Sequence, residues 1–171
     1  MREETKICIF VFCIFTSWAL VNFRFIAVCA VQDAQIQILL RMKESLEDPT
    51  NALRDWDGSD DSPCKWRGID CNDEGAVTCI DLHGSSLSGS IMPDLYNLES
   101  LIILELDQNY LYGNFPPELL NCSRLEKLNL KDNFLNGPSP DLSGLKALKY
   151  MDLSNNNKHM DKCVYMYDYY A

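Results

Sequence analysis

The stretch that decides the fold lies between residues 101 and 156 and contains three copies of one pattern: LIILELDQNYLYG (101–113), LEKLNLKDNFLNG (125–137) and LKYMDLSNN (148–156). Leucine or another apolar residue recurs at positions 1, 4 and 6 of each copy, and asparagine recurs at position 9. A more divergent copy, VTCIDLHGSSLSG, precedes them at 77–89. Successive copies of nearly constant length predict a stack of similar coils.

The spacing inside each copy has a physical cause. An L-x-L core has period 2, which predicts a short strand with one buried face. One coil cannot bury that face alone, so parallel strands from successive coils share a core. We expect this core to contain Leu104, Leu106, Leu128, Leu130, Met151 and Leu153. The amide of the position-9 asparagine both donates and accepts, so it can satisfy backbone groups between coils. The pattern predicts an α/β leucine-rich-repeat solenoid with its parallel strands on the concave face.

The residues before the repeats predict a targeting segment and then a cap. Residues 7–20 are apolar but short for a membrane span, and Val28-Cys29-Ala30 supplies small residues for cleavage, so 1–30 is predicted to be a signal peptide. An uncleaved anchor is the alternative. Residues 31–46 have apolar side chains at helical spacing, with Asp33 placed to cap a helix that covers the first coil.

The predicted organisation has four parts. A signal peptide occupies 1–30, an N-terminal helical cap 31–76, about four repeats 77–157 with the last incomplete, and a tail without repeats 158–171. The repeat pattern is lost at Lys158 and Met160, where leucine and glycine are expected. The last repeat strand is therefore predicted to leave an unpaired backbone edge.

Composition and motifs argue against several functions. The formal net charge of −10 argues against a nucleic-acid partner. His83 and His159 have no nucleophile placed beside them by a motif, and the spacing of Cys64, Cys71 and Cys79 fits no compact zinc site. The sequence therefore predicts a protein that is not an enzyme and that has neither a cofactor nor a metal.

Three runs carry a family resemblance: DPTNALRDW (48–56), SPCKWRGIDC (62–71) and AVTCIDL (76–82). Together they resemble the N-terminal cap of plant leucine-rich-repeat receptor-like kinases and their secreted relatives. The pattern L-x-G-x-(I/F)-x-P-x-L at 87–95 and 111–119 is similar to the plant-specific repeat. The sequence of residues 116–154 most resembles that of receptors for small secreted peptides, such as the receptors for C-terminally encoded peptides.

The resemblance implies a function and a location. It implies an extracellular recognition module, a truncated portion of a receptor ectodomain, that binds a secreted peptide or a co-receptor ectodomain. The chain would be secreted to the apoplast, or lie at the plasma membrane as a fragment of a full-length receptor. A secreted inhibitor of a wall-degrading enzyme and a truncated product without function of its own are the alternatives. The resemblance also implies a disulfide between Cys64 and Cys71.

Other candidate sites follow from repeat positions. Asn121-Cys122-Ser123 is an N-glycosylation sequon on a return segment of the solenoid, and Cys122 occupies a repeat position that predicts burial. Side chains at strand positions 3, 5, 7 and 8 are predicted to point away from the core and form the binding face. The candidate binding residues are Asp81, Ile103, Glu105, Asp107, Lys127, Asn129, Lys131, Tyr150 and Asp152. We expect Glu105 and Asp107, with Tyr150, to contact Arg or Lys of a partner; screening of these carboxylates by water and salt is the alternative.

Overall fold

The computed structural model describes residues 32–138 and 140–157, together with the backbone of residues 164–166. The predicted signal peptide and most of the predicted tail lie outside the described residues. Among the helices of the described part, none combines the length and the hydropathy that a membrane span needs.

The predicted cap helix is present, and within the described residues it ends earlier than predicted. Helix α1 spans 32–44 and buries one face, formed by Gln35, Ile36, Ile38, Leu39 and Met42. Asp33 lies inside the helix, so its predicted capping role is wrong. The helix stops at 44 because the chain turns there, with Ser45 Oγ donating to the carbonyl of Met42 at 2.7 Å. The next residues, Leu46–Glu47, form strand β1 instead of the predicted last helical turn.

The concave sheet has six strands. In spatial order they are β10 (Val164–Met166), β9 (Tyr150–Asp152), β7 (Lys127–Asn129), β5 (Ile103–Glu105), β3 (Val77–Asp81) and β2 (Ile69–Cys71). The four central strands are parallel, as predicted, and they place Ile80, Leu104, Leu128 and Met151 in one row. All four side chains are fully buried, so the predicted period-2 core is confirmed.

The prediction of an unpaired edge after the last repeat is wrong. Strand β10 pairs antiparallel with β9, with Val164 opposite Asp152 and Met166 opposite Tyr150. An exposed strand edge offers N–H and C=O groups to any extended segment, whatever its side chains, so a tail without repeat pattern can still supply a partner strand.

A second sheet follows the asparagine position of each coil. Its spatial order is β1, β4 (Ser88–Gly89), β6 (Tyr110–Asn114) and β8 (Phe134–Asn136). We call it the lateral sheet. It joins the cap to the repeats, because β1 pairs antiparallel with β4. The return segments contain short 3₁₀ turns at Pro93–Asn97, Pro117–Asn121 and Leu142–Gly144.

The position-9 asparagines link coils as predicted. The buried Asn109 Oδ1 accepts from the N–H of Leu87, 3.0 Å away in the preceding coil. Its Nδ2 donates to the carbonyls of Leu82 and Leu106 at 2.9 and 3.0 Å. Asn133 makes the same contacts one coil later. Each amide therefore satisfies backbone groups that the strands leave unpaired.

A buried amide joins the cap to the first coil, and a disulfide closes a loop within the cap. Gln35 Oε1 accepts from the N–H of Val77 at 2.6 Å, at the start of the first repeat. Cys64 and Cys71 are bonded to each other, as the resemblance implied. The rings of Trp56 and Trp66 stack beside them, with their centroids 5.6 Å apart.

Candidate functional site

The sheet registers bring the candidate binding residues together on the concave face. Ile103, Lys127 and Tyr150 occupy equivalent positions on β5, β7 and β9. Two positions further along the chain, Asp81, Glu105, Asn129 and Asp152 form a second row. The predicted alignment of carboxylates is therefore present, with Asn129 as its one break.

Lys127 lies at the centre of this face. Its Nζ forms an ion pair with Glu105 Oε1 and lies 5.6 Å from the centroid of the Tyr150 ring. The hydrogen bond with Glu105 raises the pKa of Lys127 above its ordinary value, although burial acts in the opposite direction. Burial and the neighbouring Asp152 carboxylate raise the pKa of the Tyr150 hydroxyl. At neutral pH the face thus holds an ammonium group between a carboxylate and a neutral phenol.

Two of the predicted binding residues are less accessible than expected. Asp107 and Asp152 are 6% and 8% exposed, although both lie on the strands of the predicted binding face. The reason is that neighbouring groups engage them. His83 Nδ1 lies 2.7 Å from Asp107 Oδ2, while Asp152 accepts from the backbone N–H of Ser154 at 2.8 Å.

His83 has a role that the sequence did not reveal. Its side chain is half exposed and paired with Asp107. The signal that could have identified the pair is positional: both residues occupy position 7, in successive coils. Lys131 occupies the same position one coil later and makes no ion pair with the described residues.

The cysteines of this region are not placed for chemistry. Cys64 and Cys71 are consumed by their disulfide, which removes them from the zinc set considered above. Burial, with the charges of Asp70, Asp81 and Glu105, raises the pKa of Cys79 to about 11. Burial raises the pKa of Cys122 to about 11 as well. Both thiols are therefore protonated at neutral pH and are weak nucleophiles.

The predicted sequon lies apart from this face. Asn121 is exposed and is the last residue of the 3₁₀ turn Pro117–Asn121, which packs against the turn Pro93–Asn97 of the preceding coil. Cys122 beside it is buried, as predicted.

Comparison with known proteins identifies the class. The profile described as "Leucine rich repeat N-terminal domain" matches residues 32–72. Receptor protein-tyrosine kinase CEPR2 of Arabidopsis thaliana is 56% identical over 121 residues, which are 70% of this chain and 12% of that protein. The chain thus spans about an eighth of the length of that relative. The word kinase in such names refers to regions outside the matched part.

Solved structures agree with this class. The leucine-rich-repeat ectodomain of the Arabidopsis receptor kinase HAESA superposes with a TM-score of 0.52 and 27% identity, over 74% of this chain and 26% of that chain. The BIR2 ectodomain of Arabidopsis thaliana superposes with a TM-score of 0.53 and 30% identity, over 71% of this chain and 79% of that chain. The chain belongs to the family of plant leucine-rich-repeat receptor ectodomains.

Proposed function

We propose that this chain is an extracellular recognition module that binds a secreted peptide through its concave face, as the first part of a receptor ectodomain. The observation that carries the proposal is the 56% identity with CEPR2, because the match covers the cap and the repeats together. The structural similarity to HAESA supports it, since that ectodomain was crystallised in complex with an IDA peptide hormone ligand.

The chemistry of the concave face fits a peptide of mixed character. Its charges are largely paired within the face, with Lys127 bound to Glu105 and His83 to Asp107. Such a surface attracts a ligand less by net charge than by contact with the side chains of Ile103 and Tyr150, which are both partly exposed.

Two polar groups on this face remain reachable. The side chain of Glu105 is 18% exposed, so a ligand Arg or Lys can reach it by replacing Lys127. Lys131, which has no ion-pair partner among the described residues, can receive a ligand carboxylate. Asp107 and Asp152 remain part of the proposed binding face, where they position His83 and the backbone of Ser154. Direct contact of Asp107 with the partner, which the sequence led us to expect, is therefore no longer proposed.

A titration tests the proposal. The full chain, secreted from plant cells, is immobilised and titrated with a synthetic C-terminally encoded peptide, and a scrambled peptide serves as control. We expect weak, saturable binding, with a Kd below about 1 mM, which corresponds to about −4 kcal/mol. Tyr150→Ala should weaken it by about tenfold, and the lateral-sheet variant Tyr112→Ala should not. Absence of saturable binding to the folded wild-type chain would overturn the proposal.

The same immobilised protein also tests the alternative function, inhibition of a wall-degrading enzyme. A fungal polygalacturonase passed over it should give no signal above that of a heat-inactivated enzyme. A specific interaction with the native enzyme, together with no peptide binding, would replace the receptor function with the inhibitor function.

A further inference from the structure

The sequon is a motif that the proposed function leaves unexplained. Asn121 and Ser123 are both exposed, while Cys122 between them is buried and fixes the segment to the core. The side-chain amide of Asn121 makes no hydrogen bond with the described residues. One coil earlier, the equivalent Asn97 donates its Nδ2 to the carbonyl of Asp94 at 3.1 Å. Of these two asparagines, it is therefore Asn121 whose side-chain nitrogen is available for modification.

A cleft opens beside this amide. Its volume is about 460 Å³, and it lies between the return segments of two successive coils. Its floor contains the buried side chains of Leu98, Leu101 and Cys122. Its rim is polar and contains Tyr96, Glu99, Ser100, Asn121, Ser123 and Arg124.

This lining matches the surface of a sugar. A hexosamine ring presents C–H groups on its faces and hydroxyl groups around its edge. Tyr96, which is 39% exposed, offers an aromatic surface on the coil before Asn121. Concave sites with a few convergent polar groups around an apolar floor are typical binding sites for small ligands. Here Glu99 and Arg124 provide an acceptor and donors within one rim.

We propose that Asn121 carries an N-linked glycan whose first N-acetylglucosamine lies in this cleft against Tyr96. In the transfer step, the oligosaccharide comes from a lipid pyrophosphate donor in the secretory pathway. The anomeric C1–O bond of the donor breaks, a C1–Nδ2 bond to Asn121 forms, the lipid pyrophosphate leaves, and the amide gives up one proton. The first sugar then touches two coils at once and stabilises their packing. It stands on the return turns, so the strands of the concave face stay open.

Occupancy is tested first. The full chain with its own leader is expressed in insect cells, and the intact mass is measured before and after complete deglycosylation, in the medium and in the microsomal fraction. Wild type and Ser123→Thr should lose the mass of one glycan, whereas Ser123→Ala and Asn121→Gln should show no change. A wild-type mass that does not respond in either fraction would overturn the proposal.

Thermal unfolding then tests the cleft contact. Trimming with an endoglycosidase that leaves one N-acetylglucosamine on Asn121 should keep the Tm of the fully glycosylated protein. The unglycosylated Ser123→Ala protein should unfold about 2–4 °C lower, the shift expected for roughly 1 kcal/mol in a chain of this size.

Variants of Tyr96, the residue proposed to contact the sugar, give the decisive comparison. In the Tyr96→Ala background, occupancy should be unchanged, but the Tm difference between trimmed protein and its Ser123→Ala counterpart should disappear. Tyr96→Phe keeps the ring and should keep the difference. An equal glycan-dependent gain in wild type and in Tyr96→Ala would show that the sugar does not use the cleft, and the proposal would fail.

Discussion

His83 Nδ1 lies 2.7 Å from Asp107 Oδ2, and this contact joins the strand ends of two successive coils on the concave face. The Asp107 side chain is only 9% exposed, so the imidazole is the side-chain group that compensates its carboxylate. A buried carboxylate without a partner is costly, because water can no longer solvate it fully.

Removal of this histidine should therefore weaken the fold. We expect His83→Ala to lower the free energy of unfolding by about 1–3 kcal/mol, measured by urea denaturation at pH 7. Adding Asp107→Asn to that variant should recover part of the loss, because a neutral amide is less costly to bury. Asp73→Ala, at an exposed carboxylate, serves as control. Equal stability of His83→Ala and wild type would mean that Asp107 is solvated in solution.

Replacing a buried position-9 asparagine should lower the free energy of unfolding more than replacing an exposed asparagine of a return turn. Asn109→Ala removes the partner of the buried N–H of Leu87 and of the Leu82 carbonyl, whereas the Leu106 carbonyl keeps its hydrogen bond from Asn133. We expect a loss of about 3 kcal/mol, since each unsatisfied buried group costs roughly 1–3 kcal/mol. Asn97→Ala removes a single exposed hydrogen bond and should cost less than about 0.5 kcal/mol. Similar losses for both variants would contradict the structural role of position 9.

Two glycines provide a matched test of the contact between the cap and the repeats. Both have positive φ, +123° at Gly89 and +58° at Gly84. A Cβ at Gly89 would overlap the carbonyl oxygen of Ser45 and approach Leu46 Cα to 3.1 Å, whereas a Cβ at Gly84 meets nothing within 4 Å.

The two alanine variants should therefore differ. We expect Gly84→Ala to cost about 1–2 kcal/mol, the penalty of a left-handed backbone. Gly89→Ala should cost more than this, with the excess caused by displacement of β1 from β4. Chemical denaturation of the two variants gives the comparison, and a loss at Gly89 no greater than that at Gly84 would mean that β1 is not packed there.

The acid stability of the cap should depend on Asp48. Burial by itself would raise the pKa of Asp48, but hydrogen bonds from the N–H groups of Leu53 and Ala52, at 2.7 and 2.8 Å, lower it below 3.8. A depressed folded-state pKa contributes stability that is present above the unfolded pKa and is lost as the pH falls through the folded value. Asp48→Asn should therefore be less stable than wild type at pH 6, and the difference should shrink below pH 3.8. Unfolding midpoints measured from pH 6 to pH 2 test this, and a difference independent of pH would contradict it.

The core and the contacts between coils could be predicted from the sequence because the repeat pattern is strong. Positions 1, 4 and 6 are apolar in every copy and position 9 is asparagine in the last three, and the structure places the apolar residues, such as Leu104, in the core and the asparagines, such as Asn109, between coils. The cap disulfide was predicted through the resemblance of CKWRGIDC to known caps. These features repeat or match a motif, so a single chain carries enough signal.

The features that were missed depend on contacts between coils or on backbone alone. Pairing of His83 with Asp107 requires two side chains one coil apart to turn toward each other. Gln35 reaches Val77 across the boundary between cap and repeats, which no periodicity marks. The pairing of β10 with β9 uses backbone groups, so the tail sequence gives no signal for it.

Hydrogen–deuterium exchange of the secreted chain, with and without a saturating synthetic C-terminally encoded peptide, tests most directly the claim that the concave face is the recognition surface. We expect added protection in β5, β7 and β9, the strands that carry Ile103, Lys127 and Tyr150. We also expect unchanged exchange in β6 and β8 of the lateral sheet. Added protection confined to the lateral sheet or to the return turns, with the concave strands unchanged, would contradict it.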